Sequence, residues 1–368
     1  MPAPGAGMSA VLDTLSSLLG GSAPPSVRVP GFEVSFGGAS ADDWAAALVS
    51  VAVEAGVAPA VDAADVVLAT GGGVEVALGD AGSVALGFGD SGAEAVFAGT
   101  VGAIHRSLSG ETRIAAVNGG AALAGLRLNR SYEKRTVGDI VRDLAGEAGV
   151  DPGSIEDGAT LPFYVVDDGR SGWTHVGDLA AKSGFLARFA PDGSLDVGPA
   201  SEGEPAQTFT FAQDVLALDA AECPPVAGAI TVVGEGAAGT QGDAAWSWLV
   251  KDPSGVTGTA GSGDPARLLR DRSLRTLDAA SGEAEATAAR AAAGATTARL
   301  LVAGAPKATV GATVAVVGTP DAALDGTYVV RGVRHRYAKR EGFASLLLLT
   351  RSGDAAGGGL ASLVGGLL

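Results

Sequence analysis

Residues 96–117 read VFAGTVGAIHRSLSGETRIAAV, and residues 326–348 read GTYVVRGVRHRYAKREGFASLLL. Each stretch is a long alternating strand ending in His-Arg, then a polar turn containing Glu and Gly, then a second strand. Side chains two apart on a strand share a face, so His105 lies with Val101 and His335 with Val329 and Val333. Each copy follows another strand with a Gly-rich turn. Two copies of one hairpin predict a duplicated closed sheet. The expected fold is mainly β (α+β): two tube-like antiparallel β-barrels with a small α/β module inserted between them.

The flanking sequence fills in this frame. Val27–Gly37 alternates as a strand. Ser40 can cap a short helix containing Trp44 and Leu48. Residues 44–55 fit both period 3.6 and period 2, and the expected outcome is a short helix followed by a strand. Asp65–Thr70, Val74–Leu78, Val84–Phe88, Ala95–Arg106 and Thr112–Asn118 read as strands between Gly-rich turns. Thr136 begins a helix with Val137, Ile140, Val141 and Leu144 on one face, and Gly149 stops it. Phe163–Val166 reads as a strand, and Thr174 is expected to cap a second helix that runs through Ala181 and is stopped by Gly184. Phe185–Phe189, a turn at 191–193 and Leu195–Val197 form a hairpin. Strands return at Thr208–Phe211, Ala229–Val233 and Ala245–Val250. Asp264-Pro265 can start a helix, and Ser281–Ala293 is Ala-rich and helical. Ala298–Val302, Ala312–Val317, Thr327–Tyr337 and Phe343–Thr350 read as strands. Leu346–Leu349 is apolar on both faces, which predicts cover on both sides. The expected boundaries are a tail at 1–26, a first barrel at 27–126, the α/β module at 127–205, a second barrel at 206–352 and a tail at 353–368.

The chain has 368 residues, with 25 Lys and Arg against 41 Asp and Glu, for a net charge of −16. That sign argues against nucleic acid as a partner, because counterion release needs a basic face. One cysteine excludes an intrachain disulfide and a Cys-cluster metal site. No run of apolar residues is long enough to span a membrane, and Met1–Gly7 carries no Lys or Arg of a signal peptide.

Candidate chemistry is sparse. His105, His175 and His335 have no paired spacing for zinc and read as surface or satisfied core groups. Cys223 precedes two prolines with no His near it and reads as an inert thiol. Asp167-Asp168 and Asp42-Asp43 point to opposite faces of an extended chain and form no acid pair. Gly71-Gly72-Gly73 lacks the Lys-Ser/Thr of a phosphate loop. The expectation is no catalytic site, no cofactor, no metal and no enzyme. Arg331, Arg334, Arg336, Lys339 and Arg340 form a basic cluster that reads either as a solvated strand edge or as an electrostatic dock. Arg127, Arg130, Lys134 and Arg135 form a weaker one. Leu360, Leu363, Val364, Leu367 and Leu368 give the C-terminal tail helical apolar spacing and make it a candidate docking tail.

The hairpin at 96–117, LRLNRSYEKRTVGDIVRDLAGEAGV at 126–150 and FYVVDDGRSGWTHVGDLAAKSGFLARFAPDGSLDV at 163–197 resemble the baseplate hub proteins of contractile injection systems. So do LLVAGAPKATVGATVAVVG at 300–318 and DGTYVVRGVRHRYAKREGFASLLLLTR at 325–351. These are the phage late-control D proteins and the hub-like N-terminal half of VgrG spikes. The resemblance covers about residues 27–352, and the order of the elements carries it more than any single motif. It implies a homotrimer whose two barrels per subunit present a pseudo-sixfold ring. Such a ring joins a hexameric tail tube to a trimeric spike, with baseplate wedge proteins as further neighbours. It implies a structural part of a phage-like particle, intracellular or released, assembled in the cytoplasm. No β-helical spike follows residue 352, so the spike is expected to be a separate polypeptide.

Two other functions compete. A carbohydrate-binding or hydrolytic β-sandwich is disfavoured by 5% aromatic content and by the lack of a placed carboxylate pair. A secreted adhesion module is disfavoured by the absence of calcium-ligand runs.

Overall fold

A computed structural model describes residues 29–69, 74–89, 92–108, 110–201, 203–235 and 253–352. The positions Val11, Leu12, Leu15, Leu18 and Leu19, whose spacing fits a short amphipathic helix, the strand expected at 245–250 and both tails lie outside these residues.

The first sheet is built from residues 30–117. Strand β1 (Pro30–Phe36) leads into helix α1 (Ala41–Ala47), whose Ser40 cap makes a full capping box with Asp43. Strand β2 (Leu48–Gly56) follows without a loop, so the ambiguous stretch is indeed helix then strand. Strands β3 (Ala63–Ala69), β4 (Ala81–Phe88), β5 (Gly92–Arg106) and β6 (Glu111–Val117) complete it in the order β1-β4-β5-β6-β3-β2. Residues 74–78, expected as a strand, are a loop. Their alternation arises because Val74 and Val76 pack onto the core while the residues between them face water.

The α/β module comprises α2 (Gly120–Gly125), β7 (Arg130–Thr136), α3 (Val137–Ala148), β8 (Pro152–Ile155), β9 (Thr160–Val166), α4 (Gly172–Lys182), β10 (Leu186–Phe189) and β11 (Leu195–Gly198). Thr136 closes a capping box with Asp139, and Gly149 ends α3 in the left-handed region at φ +67°. The second helix is capped by Ser171 and not by Thr174, which sits one turn inside and donates its N–H to the Ser171 hydroxyl.

The second sheet uses β12 (Gln207–Thr210), β13 (Val215–Glu222), β17 (Thr296–Val302), β18 (Thr313–Val317), β19 (Gly326–Ala338) and β20 (Gly342–Arg351). Between β13 and β17 the chain makes an excursion through β14 (Ala229–Gly234), β15 (Thr257–Gly261), β16 (Ala266–Asp271) and helix α5 (Leu277–Ala293). Asp264-Pro265 therefore precedes a strand and not a helix. Strand β16 pairs only with β14, an edge position that tolerates a proline at its entry. The excursion packs on the α/β module: Ile230, Val232, Leu274 and Ala284 share a core with Ile140, Leu144 and Leu179. Lys182 bridges Asp271 and Glu283, and Arg290 donates to the Ala181 carbonyl.

The strand order of the second sheet is β12-β18-β19-β20-β17-β13, which matches the first sheet strand for strand in chain order. The match extends to irregularities. The β5–β6 ladder breaks its register between Val101 and Ala103, and the β19–β20 ladder between Val330 and Gly332. The β2–β3 ladder breaks between Leu48 and Ser50, and the β13–β17 ladder between Val215 and Ala217. Gly79 N–H donates to Val101 O and Val101 N–H to Asp80 O, just as Gly311 donates to Val330 O and Val330 to Ala312 O. Bulges are features that a fold retains, so their agreement marks a structural duplication. One strand differs: β1 runs antiparallel to β4, whereas β12 runs parallel to β18.

The bulges also correct the alignment read from the sequence. They place Gly102 on Arg331, hence His105 on Arg334 and not on His335. Such a shift by one residue moves a side chain to the other face, which is why His105 is exposed and His335 buried.

The two sheets are one. Strands β2 and β19 pair over seven residue pairs, Gly332↔Gly56 to Ala338↔Ser50, giving a single twelve-stranded sheet. No ladder among the described residues closes on itself, so closure into barrels is not a hydrogen-bonded one here.

Candidate assembly surface

The β19–β20 hairpin holds the two copies together. Its root packs Tyr328, Val330, Leu347 and Leu349 into the second core with Phe209, Leu300 and Val314. Its tip delivers Tyr337 and Phe343 into the first core with Val51, Val84 and Phe97. Tyr337 meets Phe32 at 4.8 Å between ring centroids, and Phe343 meets Phe88 at 5.7 Å. These rings bridge the gap between β1 and the hairpin, where no backbone pairing occurs among the described residues.

The five basic residues of this hairpin do not form one patch. Arg331 is the bulged residue and is half-buried; desolvation, then the charge of Arg290, push its guanidinium below the ordinary arginine value. Arg334 crosses to Glu54 on β2 at 3.1 Å, and Arg336 reaches Glu341 at 3.0 Å. Both pairs are more than half exposed, so each contributes about 1 kcal/mol or less. Lys339 donates to the Ala45 and Ala46 carbonyls, where the C-terminal end of α1 favours a cation. Arg340 is exposed without an ion-pair partner among the described residues. The solvated-edge reading fails for Arg334 and Arg336, because β19 is paired on both sides there. Leu360, Leu363, Val364, Leu367 and Leu368 lie outside the described residues. On β20, Leu347 and Leu349 are buried, but Leu348 is 46% exposed, so the expected two-sided cover is incomplete within one chain.

The histidines are a surface group and two satisfied core groups. His335 Nδ1 shares a hydrogen bond with the Ser345 hydroxyl at 2.8 Å, and Ser345 Oγ accepts the Ala305 N–H at 2.9 Å. Burial pushes His335 down to about 4. His175 packs against Tyr164, whose hydroxyl is 3.0 Å from Nδ1. Among the described residues no cluster of three or more His, Cys, Asp or Glu is placed to hold a metal.

Sequence reasoning missed Asp62. It is 5% exposed at the end of the β2–β3 connection. Its carboxylate accepts from Gly56 N–H at 2.9 Å and from Asn118 Nδ2 at 3.0 Å. Burial outweighs both bonds and raises its carboxyl to about 7. Asp62 and His335 line the same narrow cavity with Phe97, Phe189 and Val333. The partner residue lies 56 positions away, a distance over which no local pattern signals a hydrogen bond. Beside it, Trp173 donates to the Ala60 carbonyl at 2.8 Å and Ala58 N–H to Ala187 O at 2.8 Å, fastening the module to the first sheet.

Strands β1 and β12 each pair on one side only, and two further stretches of the twelve-stranded sheet are open among the described residues. One is β13, where Leu216 is 62% exposed. The other is the tip of β5 beyond Thr100, the last residue paired with β4. There Gly102, Ala103, His105, Arg106 and Leu108 are all exposed.

No family model matches the sequence, and no curated protein matches it closely. Solved structures do. The 43 kDa tail protein of prophage MuSo2 from Shewanella oneidensis superimposes with a TM-score of 0.65 at 13% identity, over 88% of this chain and 98% of that one. The tail protein from Neisseria meningitidis MC58 gives 0.66 at 16% identity, over 88% and 97%. An Escherichia coli type VI secretion component, itself similar in structure to the T4 bacteriophage tail proteins gp27 and gp5, gives 0.58 at 13% identity, over 88% and 77%. This chain therefore has the fold of phage tail proteins along nearly its whole described length.

Proposed function

We propose that this chain is a structural baseplate component of a phage-like contractile injection particle: a homotrimeric hub that joins a hexameric inner tube to a trimeric spike. The observation that carries the reading is the repeated strand order, β1-β4-β5-β6-β3-β2 and β12-β18-β19-β20-β17-β13. A chain holding two equivalent units offers six of them in a threefold assembly, which solves the mismatch between a sixfold and a threefold partner. The likeness to phage tail proteins and to a type VI secretion component supports the same role. The mechanism is geometric, with no bond made or broken. The shared hairpin fixes the angle between the two units, so the ring they form is set by packing.

Light scattering on the purified chain tests this. A trimer is expected, and mixing with the tube protein is expected to give a complex with six tube subunits per three hubs. A chain that stays monomeric at every concentration and does not bind the tube protein overturns it.

A further inference from the structure

We propose that a second copy of this chain adds its β13 to the free edge of β5 at residues 103–106, in the register that β2 already uses on β19 within one chain. The inference rests on the self-assembly in the hub reading and supplies its interface.

Strand β2 of the first unit sits on the edge of β19 in the second. The equivalents of these two strands are β13 and β5, fixed by the shared order and by the bulges at Leu48/Ser50, Val215/Ala217, Val101/Ala103 and Val330/Gly332. Within one chain this second junction is not made. Strand β13 ends the sheet, and the β5 tip has no strand on that side among the described residues.

Burial tells the same story. In β2, Leu48, Val51 and Val53 are buried; at the equivalent positions of β13, Val215 and Leu218 are half-buried and Ala220 is exposed. An exposed edge with a large apolar residue such as Leu216 is a template for another chain. The β2–β19 junction sets Glu54 against Arg334. The equivalent pair is Ala221 opposite His105, so that ion pair is not repeated; Asp219 lies diagonal to His105 across the junction, and Glu222 is paired with Arg351 within its own chain.

The register follows residue by residue. Gly332↔Gly56 becomes Ala103 opposite Cys223, His335↔Val53 becomes Arg106 opposite Ala220, and Tyr337↔Val51 becomes Leu108 opposite Leu218. Val57 N–H donates to Arg331 O, which makes Gly56–Gly332 a non-hydrogen-bonded pair, the closer kind. Cys223 N–H donates inward to Ala295 O, so the N–H groups of Glu222 and Ala220 point out from the edge. Each chain then offers one strand and one edge, a head-to-tail contact that closes into a ring if the rotation allows.

Cys223 is the only cysteine and is exposed, which makes the test direct. Under mild oxidation, Ala103→Cys is expected to give disulfide-linked oligomers on non-reducing gels. Wild type, Ala103→Cys with Cys223→Ser, and Ala95→Cys on the covered part of β5 are expected to give no such ladder. Ala220→Pro removes one outward N–H without touching the β17 ladder. It is expected to abolish assembly while leaving the β-sheet circular dichroism of the chain unchanged. If wild type is a trimer and Ala103→Cys gives no ladder, the junction is wrong and the hub reading survives. If Ala220→Pro assembles as wild type does, the junction is also wrong. A wild-type chain that is monomeric throughout and never cross-links overturns the junction and the trimer together.

Discussion

Replacing Asp62 by Asn should remove a dependence of stability on pH that the wild type carries. Burial raises the Asp62 carboxyl from 3.8 to about 7 in the folded chain. A raised carboxyl contributes fully below its unfolded value and loses that contribution as pH rises through the folded one. At 1.36 kcal/mol per unit the whole shift is worth about 4 kcal/mol. Between pH 5 and pH 8 the wild type should lose about 2.5 kcal/mol of this, and Asp62→Asn should lose none of it. The absolute stability falls as well. The carboxylate now accepts from both Gly56 N–H and Asn118 Nδ2. An amide supplies one acceptor, so one donor is left facing a donor at about 1–3 kcal/mol. Asn118 cannot simply turn round, because its Oδ1 already accepts the Gly120 N–H. Urea unfolding at pH 5 and pH 8, followed by tryptophan fluorescence, reads the difference. Parallel pH dependences in the two proteins would refute the assignment of a neutral, buried acid.

Ser345→Ala removes the hydroxyl between His335 and the Ala305 N–H, and should lower stability by about 1–3 kcal/mol in thermal unfolding; an unchanged melting temperature would count against the buried network. Phe343→Ala empties a ring from the first core although the residue belongs to the second unit, at about 3–5 kcal/mol. Hydrogen exchange should then rise in β4 and β5 as well as in β20, and a change confined to β20 would contradict the shared hairpin. Lys182→Ala strands Asp271 and Glu283 without their cation and should cost about 3–5 kcal/mol in urea titration. Thr136→Ala should cost about 1 kcal/mol through the lost cap of α3, and a Gly there only a few tenths.

What the sequence made legible was local. The 96–117 and 326–348 hairpins, the Thr136 cap, the Gly149 stop and the helix-to-strand switch at Leu48 each rest on interactions within a few residues. Errors arose where distant packing sets the pattern. Val74 and Val76 alternate because a loop lies over a core, and Pro265 enters an edge strand. Strand β13, with the sequence VLALDAAE, escaped notice because its burial pattern has no alternation inside one chain. The His-Arg echo exposed the duplication but was one residue out of step, since only the bulge at Gly102 and Arg331 fixes the register. Asp62 and Asn118 carried no signal at all.

The hairpin rooted in one core and tipped into the other makes neither half autonomous. A fragment ending near residue 205 would lack Tyr337 and Phe343, the rings that pack on Phe32 and Phe88. A fragment beginning there would hold out the tip of the β19–β20 hairpin with the β2 side of β19 unpaired. Each is the other's missing wall, so the two pieces expressed side by side should find one another and rebuild the whole, a natural split protein awaiting a cut.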